Sequence, residues 1–383
     1  MKNKYKTLGI LGGGQLGRMF CQSAQAMGFA VCVLDPANLE DSPAASIADI
    51  HIQADYEDIQ ALDYMADICM AISIEFENVP ASTLEYLNNK NCFIAPNSYA
   101  VSIAQDRVKE KSFFQSLNLS VAPFYIIDTL EDINNLDIDE NFFPAILKTS
   151  TLGYDGKGQL NINSFSDLKS KWQSLNQVKC ILEKRINILN EISVILARDK
   201  FGNIANYPIG QNIHKDGILF SSTVPSSNTP TNISETAYEC AKKIAIGIDY
   251  IGVLCIEFFV VEGEKLYINE IAPRPHNSGH YTQNACITSQ FEQQARILAG
   301  FPLGSTKQHT PVVLINILGD SWYKNSEDAI EPDWSKFLQY NGVQLHLYGK
   351  NIAKKGRKMG HINCLADTIK QAQNIANNIE NLL

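Results

Sequence analysis

The stretch GVLCIEFFVVEGEKLYINEIAPRPHNSGHYTQNA, residues 252–285, carries the pattern that most constrains the fold. Two apolar runs, GVLCIEFFVV and KLYINEIA, flank a short polar turn and predict two adjacent β-strands. Glu257 interrupts the first run and Glu270 ends the second. A carboxylate inside an apolar strand is costly unless it is paired or bound to a cation. The pair therefore predicts a Mg²⁺ site, to which Asn269 adds an oxygen only if the backbone turns it inward; an internal salt bridge is the alternative for Glu257.

The segment that follows Glu270 is polar and has no apolar periodicity. It contains Arg274, His276, Asn277 and His280. A polar loop that continues directly from a metal ligand is where substrate contacts concentrate. We therefore expect substrate-binding residues here, while each of the two histidines could equally be an internal residue whose hydrogen bonds the protein satisfies.

An upstream lysine and a glycine-rich loop point to a bound polyphosphate. Lys148 closes the apolar run FFPAILK, and the string GYDGKG follows at 153–158. Glycines allow successive backbone N–H groups to fold around phosphate oxygens. Together with the Mg²⁺ site, the loop favours ATP as a phosphoryl donor; the alternative is a solvent-exposed loop with a chance lysine. The sequence has no Walker A string, which excludes a P-loop protein.

The string ILGGGQLGRM near the amino terminus has the spacing of a dinucleotide-binding turn. Its glycines are Gly12, Gly14 and Gly17, and Asp35 ends the next apolar run. Such glycines let the amino terminus of a helix approach a phosphate. The string alone leaves three interpretations open: a nicotinamide dinucleotide, another phosphate-bearing ligand, or a tight strand-to-helix turn.

The alternation of apolar runs and helical patterns predicts an α/β protein of three parts. We expect a Rossmann-like domain over 1–105, a small lid domain over 106–185 and a carboxy-terminal α+β domain over 186–383. Within them the pattern predicts, among other elements, a strand over 67–74, a helix over 104–119 and a closing helix over 366–383.

Composition places the chain among ordinary folded proteins. It has 383 residues, of which 45% are hydrophobic and 19% charged, and a formal net charge of −9. The acidic balance disfavours nucleic-acid and membrane partners but leaves small anionic substrates possible. Cys21 and Cys32, the nearest pair among nine cysteines, are 11 positions apart, so no CxxC motif is available and a reducing cytoplasm is favoured. We identify neither a signal peptide nor a membrane span.

A basic run stands out near the carboxy terminus of this acidic chain. It comprises Lys350, Lys354, Lys355, Arg357 and Lys358. Lys350 and Arg357 could converge on one anion, and the planar fork of arginine suits a phosphate. We expect Lys354 and Lys355 to lie on a solvated face.

The strings, taken in order, resemble those of the ATP-grasp superfamily and, within it, the N5-carboxyaminoimidazole ribonucleotide synthetases. The matching strings are GGGQLGRM at 12–19, EFENVP at 75–80, LGYDGKGQ at 152–159, HKDGIL at 214–219, INEIAPRPHNSGHYTQNA at 268–285 and GRKMGHIN at 356–363. The resemblance covers essentially the full chain, and YDGKGQ and NEIAPRPHNSGH are its specific parts. It implies an ATP-grasp fold with ATP between the lid and the carboxy-terminal domain.

The resemblance also implies roles for individual residues. It assigns contacts with ATP to Arg107, Lys148, Gly153, Tyr154, Asp155, Gly156, Lys157, Gly158, Gln159, Glu183, Lys184, Arg185, Ile186, Glu191, His214, Asn269 and Glu270. It assigns contacts with the ribonucleotide to Gln15, Leu16, Glu77, Tyr154, Asp155, Arg274, His276, Asn277, Lys350 and Arg357. Glu257 and Glu270 are the implied metal ligands, and Asp155, Arg274 and Lys350 the implied catalytic residues.

The implied reaction combines ATP, bicarbonate and 5-aminoimidazole ribonucleotide to give N5-carboxyaminoimidazole ribonucleotide, ADP and phosphate, in purine biosynthesis. Bicarbonate is first phosphorylated to carboxyphosphate, with Mg²⁺ as the cofactor and a cytoplasmic homodimer as the working form. Two alternatives stay open. One is another ATP-grasp ligase that uses formate on a related ribonucleotide. The other is an NAD(P)-dependent oxidoreductase built on the glycine turn, which leaves Lys148, Glu257 and Glu270 unexplained.

Overall fold

The structure is a computed structural model that describes residues 6–151, 153, 158–226, 228–324 and 327–383. Within these ranges three β-sheets, of five, four and nine strands, follow one another along the chain. The predicted α/β class is confirmed. Among the described helices, none combines the length and the apolar character needed to cross a lipid bilayer.

The first sheet is parallel and lies near the amino terminus. Its strands are β1 (Thr7–Leu11), β2 (Ala30–Leu34), β3 (Ile50–Ile52), β4 (Ala71–Ile74) and β5 (Phe93–Ile94), paired in the order β3-β2-β1-β4-β5. Its helices are α1 (Gln15–Ala26), α2 (Ile59–Ile68), α3 (Ala81–Asn89) and α4 (Ser98–Ala104). Every residue of β1 is buried, as expected for a parallel strand covered on both faces. The prediction of a strand over 67–74 was wrong at its start, because residues 67 and 68 complete α2.

The second sheet is antiparallel and small. Its strands are β6 (Phe124–Ile127), β7 (Ala145–Thr149), β8 (Gln159–Ile162) and β9 (Cys180–Lys184), paired in the order β6-β9-β7-β8. Its helices are α5 (Arg107–Ser116), α6 (Leu130–Asn134) and α7 (Phe165–Ser174). Helix α5 is shorter than the predicted 104–119. Asp106 caps its first turn by accepting from two backbone N–H groups, and Asn118, with φ of 55°, ends it.

The third sheet is antiparallel and extends to the carboxy terminus. Its strands are β10 (Ile188–Arg198), β11 (Ile204–Asn206), β12 (Gly210–Lys215), β13 (Ile218–Val224), β14 (Gly252–Val261), β15 (Lys265–Ala272), β16 (Val312–Leu318), β17 (Val343–Leu347) and β18 (Lys358–Leu365). They pair in the order β15-β14-β10-β12-β13-β16-β18-β17, with β11 beside β10. The remaining helices are α8 (Thr231–Gly247), α9 (Thr282–Ala285), α10 (Gln290–Leu298), α11 (Ser335–Leu338) and α12 (Ile369–Leu382). The predicted closing helix over 366–383 is thus confirmed with a later start, at Ile369.

Helix α10 joins the first sheet to the third. Phe291, Ala295 and Leu298 belong to the same apolar core as residues of β1 and α1. The buried side chain of Gln294 accepts from the Val253 N–H at 2.7 Å and donates to Ser73 Oγ at 2.9 Å. Because a buried amide is costly unless its hydrogen bonds are made, these contacts define how the parallel sheet sits on β14.

Candidate active site

A cavity of about 700 Å³ opens where the three sheets meet. Thirteen residues to which the sequence analysis gave a site role line it: Glu77, Arg107, Lys148, Gly153, Gln159, Glu191, His214, Glu257, Asn269, Glu270, Arg274, His276 and Asn277. They come from all three sheets and their connections, so only the folded chain brings them together. The cavity is large enough for a nucleotide and a second substrate.

Other predicted residues do not line this cavity. They are Gln15, Leu16, Gly158, Glu183, Lys184, Arg185, Ile186, Lys350 and Arg357. Tyr154, Asp155, Gly156 and Lys157 lie outside the described residues.

The two predicted metal ligands face each other across neighbouring strands. The register pairs Glu257 of β14 with Glu270 of β15, and then Phe258 with Ile268, so Asn269 is an extra residue in a β-bulge. In a regular strand Asn269 and Glu270 would point to opposite faces of the sheet. At the bulge both line the cavity. The bulge therefore supplies the inward turn that Asn269 needs.

The electrostatics of this carboxylate pair are asymmetric. Burial and the neighbouring charge of Glu270 raise the pKa of Glu257 to about 7. Glu270 is more open, and its Oε2 lies 3.3 Å from Nη1 of Arg107. Glu257 lies 3.7 Å from the Nε2 of His276. A divalent cation between the carboxylates would remove the repulsion that raises the pKa of Glu257.

Lys148 belongs to a buried cluster of three charges. Glu183 accepts from the Nζ of Lys148 at 2.7 Å and pairs with the Nζ of Lys111 at 2.6 Å. Although burial favours the neutral acid, the two ammonium groups outweigh it and lower the pKa of Glu183 to about 2. Burial lowers the pKa of Lys148 despite the nearby carboxylate. The cluster holds Lys148 at the cavity wall, and it leaves only the backbone of Glu183 for the predicted contact with ATP.

A histidine and a glutamate form a second pair on the floor of the cavity. His214 of β12 lies with its Nδ1 2.7 Å from Oε2 of Glu191 on β10. Burial disfavours the imidazolium, but the hydrogen bond to Glu191 and the charges of Glu257 and Glu270 outweigh it and raise the pKa of His214. The pair can therefore hold a proton at the wall of the cavity.

The loop after β15 contributes the guanidinium of Arg274, which forms an ion pair with Glu77 through two of its nitrogens. Nε and Nη2 of Arg274 both contact Oε2 of Glu77 at 2.6 Å. Burial opposes the charge on Glu77, but Arg274 outweighs it and lowers the pKa of that carboxyl. His280 is fully buried, with its Nδ1 3.2 Å from the Gln290 side chain, which supports an internal position for this histidine; its Nε2 has no hydrogen-bond partner among the described residues. His276 lines the cavity, as predicted for a substrate contact.

The glycine turn holds an anion from the chain itself. Glu75 accepts from the N–H of Gly17 at 2.7 Å and from the N–H of Gly14, at the start of α1. A Cβ at Gly14 would overlap this carboxylate, which explains the glycine there. Because Glu75 already occupies the N–H groups of Gly14 and Gly17, these two donors are not free for a dinucleotide phosphate, which weakens the argument for an oxidoreductase.

Lys350 reaches the same turn from the carboxy-terminal region. Its Nζ donates to Oε1 of Gln15 at 2.8 Å and to the carbonyl of Lys358 at 2.7 Å. Burial and the positive charge of Arg357 lower its pKa to about 8. Arg357 donates from Nη1 to the carbonyl of Ile352 at 2.7 Å. The two basic residues are thus electrostatic neighbours, and their convergence on one anion stays a prediction.

Sequence reasoning missed three buried charges at this site. They are Lys111 beside Glu183, Glu75 at the glycine turn, and Glu110, which lines the cavity and accepts from the Ile271 N–H at 2.8 Å. Burial and the charge of Glu270 raise the pKa of Glu110 to about 8. A local signal existed for Glu110 and Lys111 alone, because they stand three or four positions before Phe113 and Phe114 and therefore share the buried face of α5. Lys358, which we placed in the basic run without a role, also lines the cavity.

Three family models match successive parts of the chain. A ribonucleotide synthetase preATP-grasp domain matches residues 5–105, an ATP-grasp domain matches 112–291, and a phosphoribosylaminoimidazole carboxylase C-terminal domain matches 312–375. The fold and the cavity therefore define an ATP-grasp ligase.

Comparison with individual relatives identifies the family within this class of ligases. The chain is 41% identical to the N5-carboxyaminoimidazole ribonucleotide synthase of Bacillus subtilis, over 93% of this chain and 90% of that protein. It belongs to the N5-carboxyaminoimidazole ribonucleotide synthase family. The fold matches an N5-carboxyaminoimidazole ribonucleotide synthetase solved with ADP at a TM-score of 0.89 and 39% identity, covering 98% of this chain and 96% of that one. It also matches the enzyme of Aspergillus clavatus, solved with ADP and 5-aminoimidazole ribonucleotide, at a TM-score of 0.87 and 29% identity, covering 99% and 98%.

Proposed function

We propose that the protein uses ATP to carboxylate 5-aminoimidazole ribonucleotide with bicarbonate, giving N5-carboxyaminoimidazole ribonucleotide, ADP and phosphate in purine biosynthesis. The single observation that carries the proposal is that one cavity brings three groups of residues together. Lys148 and Arg107 lie on one side, Glu257 and Glu270 on another, and the Arg274–Glu77 ion pair on a third. The Aspergillus clavatus relative, solved with ADP and the ribonucleotide, supports the same pair of ligands here.

The nucleotide end of the cavity lies between the second and third sheets. Lys148 and Arg107 supply positive charge for the phosphates, and both are held by acidic partners before any ligand arrives. Glu191 and His214 suit the ribose hydroxyls, because a carboxylate accepts and an imidazolium donates. Gly153, the start of the glycine-rich loop, lies beside Arg107, whose Nη2 is 3.5 Å from its carbonyl oxygen.

The residues present fit a bound Mg²⁺. Glu257 and Glu270 are directly opposite, Asn269 turns to the same cavity at the bulge, and all three offer the oxygen ligands that Mg²⁺ prefers. When bound, the ion neutralises charge on the phosphates during transfer.

The proposed chemistry has two stages. Bicarbonate is a poor electrophile, so its oxygen attacks the γ-phosphorus of ATP, the bond to ADP breaks, and carboxyphosphate forms. Carboxyphosphate releases phosphate and CO₂, and the exocyclic amine of the ribonucleotide attacks the CO₂ carbon and loses a proton. Asp155 is the residue that we propose to orient this amine or accept its proton. Lys148 and Arg274 stabilise the developing negative charge, and a covered site protects the intermediate from water.

The ribonucleotide occupies the side of the cavity formed by the first sheet and the loop after β15. Arg274, His276 and Asn277 supply polar contacts there, and Asn277 has a buried Oδ1 with no hydrogen-bond partner among the described residues. Lys350, which contacts Gln15, and its electrostatic neighbour Arg357 are proposed to hold the 5′-phosphate from the carboxy-terminal side.

We also infer a homodimer in the cytoplasm. The nine cysteines form no disulfide within the part of the chain that the structure describes, and eight of them are buried, which fits a reducing compartment. Light scattering coupled to gel filtration measures the oligomeric state, and cell fractionation measures the location. A monomer, or a secreted protein, would contradict this inference.

Formation of ADP tests the proposal. The rate should depend on Mg²⁺ and rise sharply when both bicarbonate and 5-aminoimidazole ribonucleotide are present. Unchanged ADP formation without the ribonucleotide would refute the substrate. Phosphate release that depends on formate and not on bicarbonate would support the alternative ligase.

A further inference from the structure

One face of β14 presents a cysteine next to the proposed Mg²⁺ ligand. Cys255 and Glu257 are two positions apart on the strand, so their side chains share a face. His276, on the loop after β15, approaches the same face with its Nε2 3.7 Å from Oε1 of Glu257. Ligand atoms of these three residues all lie within 4.8 Å of one another.

The donor set differs in kind from the one that suits Mg²⁺. A thiolate, an imidazole and a carboxylate are ligands of Zn²⁺ and Co²⁺, whereas Mg²⁺ prefers oxygen alone. Tetrahedral Zn²⁺ with bonds of about 2.0–2.3 Å needs ligand atoms about 3.3–3.8 Å apart, so the groups must close by about 1 Å. The separation between His276 and Glu257 already lies in this range.

A neighbouring serine prepares the histidine for such a role. Nδ1 of His276 lies 2.9 Å from Oγ of Ser278, and the same Oγ is 3.9 Å from Sγ of Cys255. A metal-bound imidazole commonly donates its other N–H to an acceptor that fixes the ring orientation. Nδ1 also lies 3.4 Å from the Ser278 N–H, which it accepts in the tautomer that carries its proton on Nε2. Metal binding selects the other tautomer, in which Nδ1–H donates to Ser278 Oγ and the lone pair of Nε2 faces Glu257 and the thiol.

We propose that Cys255, Glu257 and His276 form a second metal site that binds Zn²⁺ or Co²⁺ and inhibits the enzyme. Binding releases the proton of the Cys255 thiol to solvent and leaves a fourth coordination position open. Because Glu257 cannot serve both ions, occupation of this site removes a ligand from the Mg²⁺ site. His276 is withdrawn from the substrate at the same time.

Cobalt is the probe that distinguishes this site from other cation binding. Co²⁺ alone, titrated into the full-length protein without Mg²⁺ or nucleotide, should give a thiolate-to-cobalt charge-transfer band at one ion per chain. Cys255→Ala should abolish the band. Cys180→Ala removes an equally buried thiol from the second sheet and should leave it intact. Cys255→Ser is the second variant if alanine impairs folding, because its hydroxyl is a poor ligand for these ions.

Inhibition provides an independent readout. Higher Mg²⁺ concentrations should weaken the inhibition of ADP formation by Zn²⁺. Cys255→Ala should raise the Zn²⁺ concentration needed for inhibition roughly tenfold or more and leave Mg²⁺-supported turnover unchanged. A charge-transfer band that persists in both Cys255 variants, or its absence from the wild type, overturns the proposed site. Equal Zn²⁺ sensitivity of wild type and Cys255→Ala overturns the inhibitory role.

Discussion

Replacing Glu183 by Gln tests the buried charge cluster that holds Lys148. The substitution keeps the shape of the side chain but leaves Lys148 and Lys111 facing each other without a counter-charge. All three side chains are at most 9% exposed, so solvent screens this repulsion little. We expect a loss of stability of about 3 kcal/mol, centred on the second sheet.

The magnitude follows from the carboxylate itself. Its pKa falls from 4.5 to about 2, and each unit corresponds to about 1.36 kcal/mol, so burial and the two ammonium groups together favour the folded, ionised state by about 3 kcal/mol. Burial lowers the pKa of Lys148, which offsets part of this gain. Removing one member of a buried ion pair costs about 3–5 kcal/mol, and the lower end applies because a lysine can lose its proton.

Urea unfolding, monitored by the fluorescence of Trp172, measures the loss of stability in the second sheet. Trp172 lies in the apolar core of the second sheet, and a background with Trp322→Phe and Trp334→Phe makes it the sole tryptophan. Asp128→Asn is the matched control. It breaks an exposed pair with Lys179 in the same domain and should change stability little.

Acid provides the second half of the test. A lowered carboxyl pKa contributes stability above pH 4.5, and that stability is lost as the pH falls toward 2. The difference between wild type and Glu183→Gln should therefore be largest at neutral pH and shrink near pH 3. A difference below about 1 kcal/mol at pH 7, or one that is independent of pH, would refute the reasoning.

Three further substitutions test the rest of the cavity. Glu270→Gln should lower ADP formation by about 100-fold or more and leave the melting temperature nearly unchanged; a lower melting temperature with normal turnover would make Glu270 a structural ion-pair partner. Arg357→Met should raise the KM for the ribonucleotide at least about tenfold, about 1.4 kcal/mol, while the KM for ATP stays constant. Glu191→Gln should lower the melting temperature most below pH 6.5. The raised pKa of His214 makes their pairing stabilising at low pH, and this contribution disappears as the pH rises through the folded-state pKa. A pH-independent effect of Glu191→Gln would contradict the ion pair.

Local patterns in the sequence predicted much of the fold. They also identified the charged residues whose burial costs the most free energy. The runs around Glu257 and Glu270 predicted two adjacent strands, and the structure pairs these two residues directly. Lys148 at the end of an apolar run was identified for the same reason. A charge in a β-strand core needs a partner, so its mere presence predicts a site.

Element boundaries were less predictable because single side chains determine them. The Asp106 cap and the left-handed Asn118 shorten α5 at both ends. Capping and left-handed geometry act on one or two backbone groups and leave the apolar periodicity unchanged. The pattern therefore predicts that a helix exists more reliably than where it ends.

The sequence by itself determined which buried charged residues need a partner. The tertiary structure alone decided which groups those partners are. Glu75 fills the helix terminus at Gly14 and Gly17, and Glu183 lies between Lys148 and Lys111, across separations of tens of residues. Such pairs form because different strands and helices bring distant groups into one low-dielectric interior. No local periodicity in the sequence encodes these long-range contacts.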